Sequence, residues 1–192
     1  MRWTDWLLLA LALILFATIA PLRDAVLGFL DGAFGGRNMF NLWSTLSRAS
    51  MLIGMAMAVL VAFRSGLVNL GGEGQLILGG LTAALIGIYA PLSPGVLIVA
   101  ALAGAMLVAG LWAVLAQVLD RVLGVPLLVG SLLLNYPANA FASWLASHPL
   151  RDVASGVAQT GRISSAARLP RFAGTILDYG IFFTLAVASL LI

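Results

Sequence analysis

Two short stretches of this chain hold the residue types that could do chemistry. The first is Arg64-Ser65-Gly66-Leu67-Val68-Asn69-Leu70-Gly71-Gly72-Glu73-Gly74-Gln75, set between two apolar runs. Its glycines and its polar Asn69, Glu73 and Gln75 cannot build a regular lipid-facing helix, because backbone groups freed from a helix must find partners other than lipid. Such backbone belongs against protein or water, and discontinuous helices often line transport sites, where loose carbonyls and amides meet the solute. The plainer reading is a loop at the membrane surface with Glu73 solvated. The second stretch is Ser131-Leu132-Leu133-Leu134-Asn135-Tyr136-Pro137-Ala138-Asn139. Pro137 has no amide hydrogen and its ring meets the carbonyl of Leu133, so a kink is expected, with Asn135, Tyr136 and Asn139 gathered beside it. Polar side chains at membrane depth face the bundle interior, as glue between helices or as contacts for a permeating solute. Glue is the plainer role for each residue singly; three beside one proline favour a pathway for the group. The candidate pathway residues are Asn69, Glu73, Gln75, Ser131, Asn135, Tyr136 and Asn139.

Enzymatic constellations are poor. The carboxylates are Asp5, Asp24, Asp31, Glu73, Asp120, Asp152 and Asp178. No two of them share one face of an expected membrane helix, as an acid/base or metal pair would require. There is no cysteine, and a lone His148 beside Pro149 makes an interface residue, not a metal cluster. The ten basic residues are all arginine, so a phosphate-binding loop with its lysine is excluded. The expectation is a non-enzyme with no catalytic residue, no metal and no cofactor.

The elements that must position these residues are transmembrane helices. Of 192 residues 62% are hydrophobic and 9% charged, against about a quarter charged in a soluble domain. The 46 residues between Glu73 and Asp120 carry no charge, and about 20 suffice for one crossing, so that stretch crosses twice. The high isoelectric point reflects a small charge total rather than a basic stripe, so the partner is a lipid bilayer and no nucleic acid. The apolar runs lack the alternation of barrel strands, which makes the fold all-α: a polytopic membrane helix bundle.

Six spans are expected: Trp6–Pro21, Leu42–Phe63, Leu70–Tyr89, Gly95–Leu119, Val125–Ala146 and Ile176–Ile192, with a broken or re-entrant segment near residues 66–75. The first is read as a retained helix in preference to a signal peptide, because its small-residue cleavage pattern is poor. Residues 22–41 suit either a short amphipathic piece at the interface or a solvated loop. The turn Ala90-Pro91-Leu92-Ser93-Pro94-Gly95 makes the third and fourth spans an antiparallel hairpin. Ala101, Ala105, Ala109 and Ala113 form a small-residue stripe for helix packing, expected to meet either the remainder of a longer protein or a partner permease.

Taken together, 62–75, then Gly124-Val125, then Ser131-Leu132-Leu133-Leu134-Asn135-Tyr136 resemble the permease subunit of bacterial ABC importers for nucleosides and simple sugars, the branched-chain amino acid/ribose-type permease family. The segment Gly161 to Pro170 resembles the extracytoplasmic loop of the same proteins. The likeness covers roughly residues 24 to 180. It implies a multi-pass protein of the bacterial plasma (inner) membrane that imports a small polar solute by alternating access. It also implies three protein partners: an ATP-binding subunit, a second permease subunit and an extracytoplasmic solute-binding protein. It places the amino terminus in the cytoplasm and 147–175 outside, although that loop holds Arg151, Arg162, Arg168 and Arg171, against Arg2, Arg64 and Arg121 at the implied inner ends.

Two departures stand out. Where many relatives follow Gly-Val with an Asn-Glu pair, this chain has Pro126-Leu127-Leu128. Family members are also commonly half as long again, so 1–192 is expected to be a single transmembrane permease domain incomplete at its C-terminus, lacking the cytoplasmic loop that docks on the ATPase. An ion-coupled secondary transporter or channel subunit is the alternative, with Glu73 as the one ionisable candidate for coupling. A membrane interaction protein with no transport role is a third.

Overall fold

The computed structural model describes residues 3–18, 20–36 and 39–191. Arg2 and Arg37 lie outside them, as does the last residue of the expected sixth span. The chain is all-α: α1 Trp3–Thr18, α2 Ala20–Phe34, α3 Phe40–Arg64, α4 Gly72–Tyr89, α5 Pro94–Leu123, α6 Leu127–Leu133, α7 Asn135–Ser147 and α8 Gly180–Leu191. Among the described residues β pairing amounts to two isolated bridges, Arg151 with Thr160 and Arg171 with Asp178. Two helices, α3 and α5, are long and apolar enough to cross a membrane by length and composition. At 1.5 Å per residue their 25 and 30 residues reach about 37 and 45 Å, beyond a hydrocarbon layer of about 30 Å.

The contacts divide the chain into two units, one of residues 1–51 and 171–181, the other of residues 52–170 and 182–192. In the first, α1 packs on α2. Residues 22–34, open to two readings in the sequence, form most of α2. The turn into α3 passes through left-handed Gly36 (φ 82°) and Met39 (φ 57°). Side chains of α3 close it: Asn41 Nδ2 donates to the Asp31 carbonyl at 2.9 Å and Thr45 Oγ1 to that of Ala33 at 2.7 Å. The stretch before α8 folds on itself, with the Phe172 and Tyr179 rings edge to face at 4.6 Å around buried Leu177.

The second unit is built on the α4–α5 hairpin. Its turn is tight because Pro94 opens α5, where a missing N–H costs nothing. The two helices approach closely: a methyl group on Gly79 would lie 3.1 Å from the Ala105 carbonyl oxygen and 3.4 Å from the Ala109 Cβ. The alanine stripe therefore meets α4 of its own chain, which corrects the expectation of an external partner for it. Small residues on both helices make this contact possible inside the chain. Helix α7 also packs on α4, and the short 3-10 turn Ser165–Ala167 sits against α4 and α5.

Helix ends differ from the sequence reading where charge and geometry part company. Helix α5 runs past Leu119 through Asp120 and Arg121, because its stop is left-handed Gly124 (φ 65°), whose N–H returns to the Asp120 carbonyl at 3.1 Å. Helix α3 ends in a Schellman motif, with Gly66 N bonded to Phe63 O and Leu67 N to Ala62 O, both at 3.0 Å, and Gly66 at φ 73°. The irregular segment is thus 65–71, and Gly72, Glu73 and Gly74 belong to the first turn of α4 rather than to the break. The fifth span is interrupted at Leu134, between α6 and α7, three residues before Pro137, which has no amide hydrogen to offer the Leu133 carbonyl.

Candidate functional site

A helix that starts inside a protein must find partners for its first amides and for the carbonyls leading into it. Helix α4 begins at Gly72 with no side-chain cap from Gly71. The partners come instead from α6 and α7, some sixty residues away. The Ser131 hydroxyl accepts from Leu70 N at 3.0 Å while donating to the Leu128 carbonyl at 3.2 Å. The Asn135 carboxamide spans the junction: its Nδ2 donates to the Leu70 carbonyl at 3.1 Å and its Oδ1 accepts from Gly74 N at 2.9 Å. Within the break, Asn69 Oδ1 accepts from Gly71 N at 2.8 Å and from Gln75 Nε2 at 3.5 Å. Ser131 is fully buried and Asn135 only 8% exposed, and the bond from Gly74 N to Asn135 is the buried one of the set, where water competes least.

Close approach makes the clamp possible. Gly74 sits under Asn135: a methyl there would lie 3.0 Å from Asn135 Oδ1, 3.1 Å from Ala138 Cβ and 3.1 Å from Trp112 Nε1. Gly71 is enclosed in the same way by Asn69 Oδ1, the Ser131 carbonyl and Gln75 Nε2, all within 3.3 Å of where its Cβ would be. Trp112 Nε1, from α5, is buried with no hydrogen-bond partner among the described residues. An indole N–H normally finds an acceptor when buried, so Trp112 belongs to this junction although the sequence reading passed over it. The signal was there: a lone indole in a helix of small and aliphatic residues.

Of the seven candidate residues, the fold brings four together. Asn69, Gln75, Ser131 and Asn135 all bond at or around the break, whereas Glu73, Tyr136 and Asn139 lie on exposed surfaces. The Glu73 carboxylate sits exposed on the first turn of α4, where the helix dipole favours negative charge. Ser131 and Asn135 are consumed by backbone, which makes them the holders of the broken segment. Ser131→Ala is expected to destabilise the detergent-solubilised protein by about 1–2 kcal/mol, since Leu70 N is left unpaired. Thermal melting of the purified protein checks this, and an unchanged midpoint would show that the hydroxyl is dispensable.

The comparisons with known proteins bear on what such a clamped break is for. A glucose ABC transporter permease protein of Haloferax volcanii is 32% identical over 139 residues, 72% of this chain and 37% of that protein. A guanosine ABC transporter permease protein of Bacillus subtilis is 30% identical over 177 residues, 88% of this chain and 47% of that protein. The chain is a relative of ABC transporter permease proteins. It spans less than half the length of either of these curated relatives. No protein-family model matches this permease relative, and no solved structure matches it. The match of 177 residues takes in most of a chain whose charge-poor, all-α construction is that of a membrane helix bundle.

Proposed function

We propose that this chain forms part of the translocation pathway of an ABC importer's permease subunit, embedded as a multi-pass protein in a bacterial plasma membrane and carrying a nucleoside or a simple sugar. The observation that carries the reading is the broken segment 65–71, held by Ser131 and Asn135, in a chain related to permeases named for glucose and for guanosine. Irregular backbone at membrane depth is stable only against protein or a water-filled cavity, and here the two stabilising side chains come from α6 and α7 of the same unit. In this reading the exposed Glu73, Tyr136 and Asn139 face the pathway, and the protein is a transport component rather than an enzyme.

Its partners are an ATP-binding subunit, a second permease subunit and an extracytoplasmic solute-binding protein. A permease has no ATP-hydrolysing residues of its own, and the free energy for uphill transport reaches it through contacts that differ between states of the ATPase. Neighbouring genes encoding an ATP-binding subunit and a solute-binding protein support this reading; a solitary gene weighs against it. In the assembled transporter, Glu73→Ala is expected to lower the uptake rate several-fold while leaving the amount of protein in the membrane fraction unchanged. Uptake of labelled nucleosides and sugars by cells carrying the variant measures it, and an unaltered rate at normal abundance would return Glu73 to a solvated surface role.

A further inference from the structure

Helix α7 divides lengthwise into three faces of different chemistry. At about 100° per residue, Asn135, Ala138, Ala142, Leu145 and Ala146 fall on one side, buried or half-buried, where α7 packs on α4. Phe141, Trp144 and His148 fall on a second, exposed and stacked on one another at 6.4 and 6.1 Å, a surface suited to lipid and its interface. Tyr136, Asn139, Ser143 and Ser147 fall on the third, within an arc of about 80° and along about 16 Å of helix. Tyr136 is 73% exposed, and Asn139 and Ser143 are exposed too.

This third face is polar and carries no charged side chain. The Ser143 hydroxyl donates to Asn139 Oδ1 at 3.3 Å and the Ser147 hydroxyl to the Ser143 carbonyl at 2.7 Å. The Asn139 amide nitrogen and the Tyr136 phenol have no hydrogen-bond partner among the described residues. That contrasts with the polar groups this chain uses for packing, since Ser131 and Asn135 are each bonded twice. The two open donors, Tyr136 and Asn139, lie three residues apart within one turn of the helix and suit a surface that exchanges partners, and Ser143 and Ser147 extend that polar strip along the helix.

Building on the permease reading, we infer that the Tyr136–Asn139–Ser143–Ser147 face lines the aqueous path, with Ser143 and Ser147 as further contacts, and that it takes an uncharged solute bearing hydroxyl or amide groups. The absence of cysteine from the chain makes the test direct. Single cysteines are placed at Asn139, Ser143, Phe141, Trp144 and Ala142 in the assembled transporter, and membrane vesicles of both orientations are treated with a cationic and an anionic membrane-impermeant methanethiosulfonate reagent. S143C, nearly isosteric with the native residue, and N139C are expected to react at least tenfold faster than F141C, W144C and A142C, with the two reagents within about threefold of each other in a Glu73→Gln background, which removes the carboxylate facing the same path. Equal rates at all five positions would overturn the inference, since lipid or a neighbouring helix would then cover the face. A tenfold preference for one reagent charge that persists when Glu73 is replaced by Gln would overturn the uncharged class. Uptake by the unsubstituted transporter separates the two readings: uptake with an unreactive Ser143 face sinks this inference alone, whereas failure to take up any nucleoside or sugar sinks the permease reading and this inference with it.

Discussion

Asn135→Ala is expected to lower the stability of the detergent-solubilised protein by on the order of 3 kcal/mol, the largest loss of any single change at the junction. Two hydrogen bonds disappear together, leaving a buried Gly74 N–H and a part-buried Leu70 carbonyl without their partner. An unsatisfied buried group costs about 1–3 kcal/mol, more than the bond itself contributes. The melting midpoint should fall by about 5–10 °C for a chain of this size, and limited proteolysis should newly cut within 65–71, where the segment loses its anchor. Asn135→Asp keeps the acceptor for Gly74 N but gives up the donor to Leu70 O and buries a charge, so it should not rescue. A melting curve unchanged by both substitutions would show that the break is held by something other than this carboxamide.

The second large effect turns on a single hydrogen atom. Gly74→Ala places a methyl 3.0 Å from Asn135 Oδ1 and 3.1 Å from both Ala138 Cβ and Trp112 Nε1. None of these is the free end of a flexible chain, so α7 must move away from α4. Overpacking of this kind costs about 1–3 kcal/mol, set against a helix-propensity gain of at most about 1 kcal/mol for replacing glycine. Gly80 lies on the same helix with nothing within 4 Å of its would-be Cβ, so Gly80→Ala should gain the propensity term alone. The two substitutions are therefore expected to shift the melting midpoint in opposite directions. The same sign for both would mean that α7 does not sit on Gly74 as closely as the contacts describe.

Much of the fold is legible in the sequence because membrane helices are written in long apolar runs and their interruptions in glycine and proline. The α4–α5 hairpin follows from Pro91, Pro94 and Gly95, the end of α3 from Gly66, and the interruption of the fifth span from Pro137. Boundaries were less legible where a charge and a helix stop diverge: Asp120 and Arg121 read as the end of a span, yet the backbone stays helical until Gly124 can turn left-handed. The site was legible as a set of residue types and not as a set of roles. Nothing in the one-dimensional pattern says that Asn135 spends both ends of its amide on Leu70 and Gly74, or that Tyr136, one residue on, points elsewhere with its phenol open. Those facts depend on pairing between segments some sixty residues apart, which periodicity within one helix does not encode. Trp112 was missed for the same reason, since its place at the junction arises from the close approach that Gly74 permits.

The energy source of uptake separates an ATP-driven permease from an ion-driven carrier. Cells lacking the gene for this chain, and the same cells with it restored, are loaded with labelled nucleosides and simple sugars while cellular ATP and the proton and sodium gradients are depleted independently. For an ATP-driven importer, at least one of these solutes is expected to enter only when the chain is present, with entry stopping when ATP is depleted or the ATP-binding subunit is removed and surviving collapse of both gradients. Entry that persists without ATP and follows the proton or sodium gradient would contradict that expectation, and would make Glu73 the coupling residue of an ion-driven carrier.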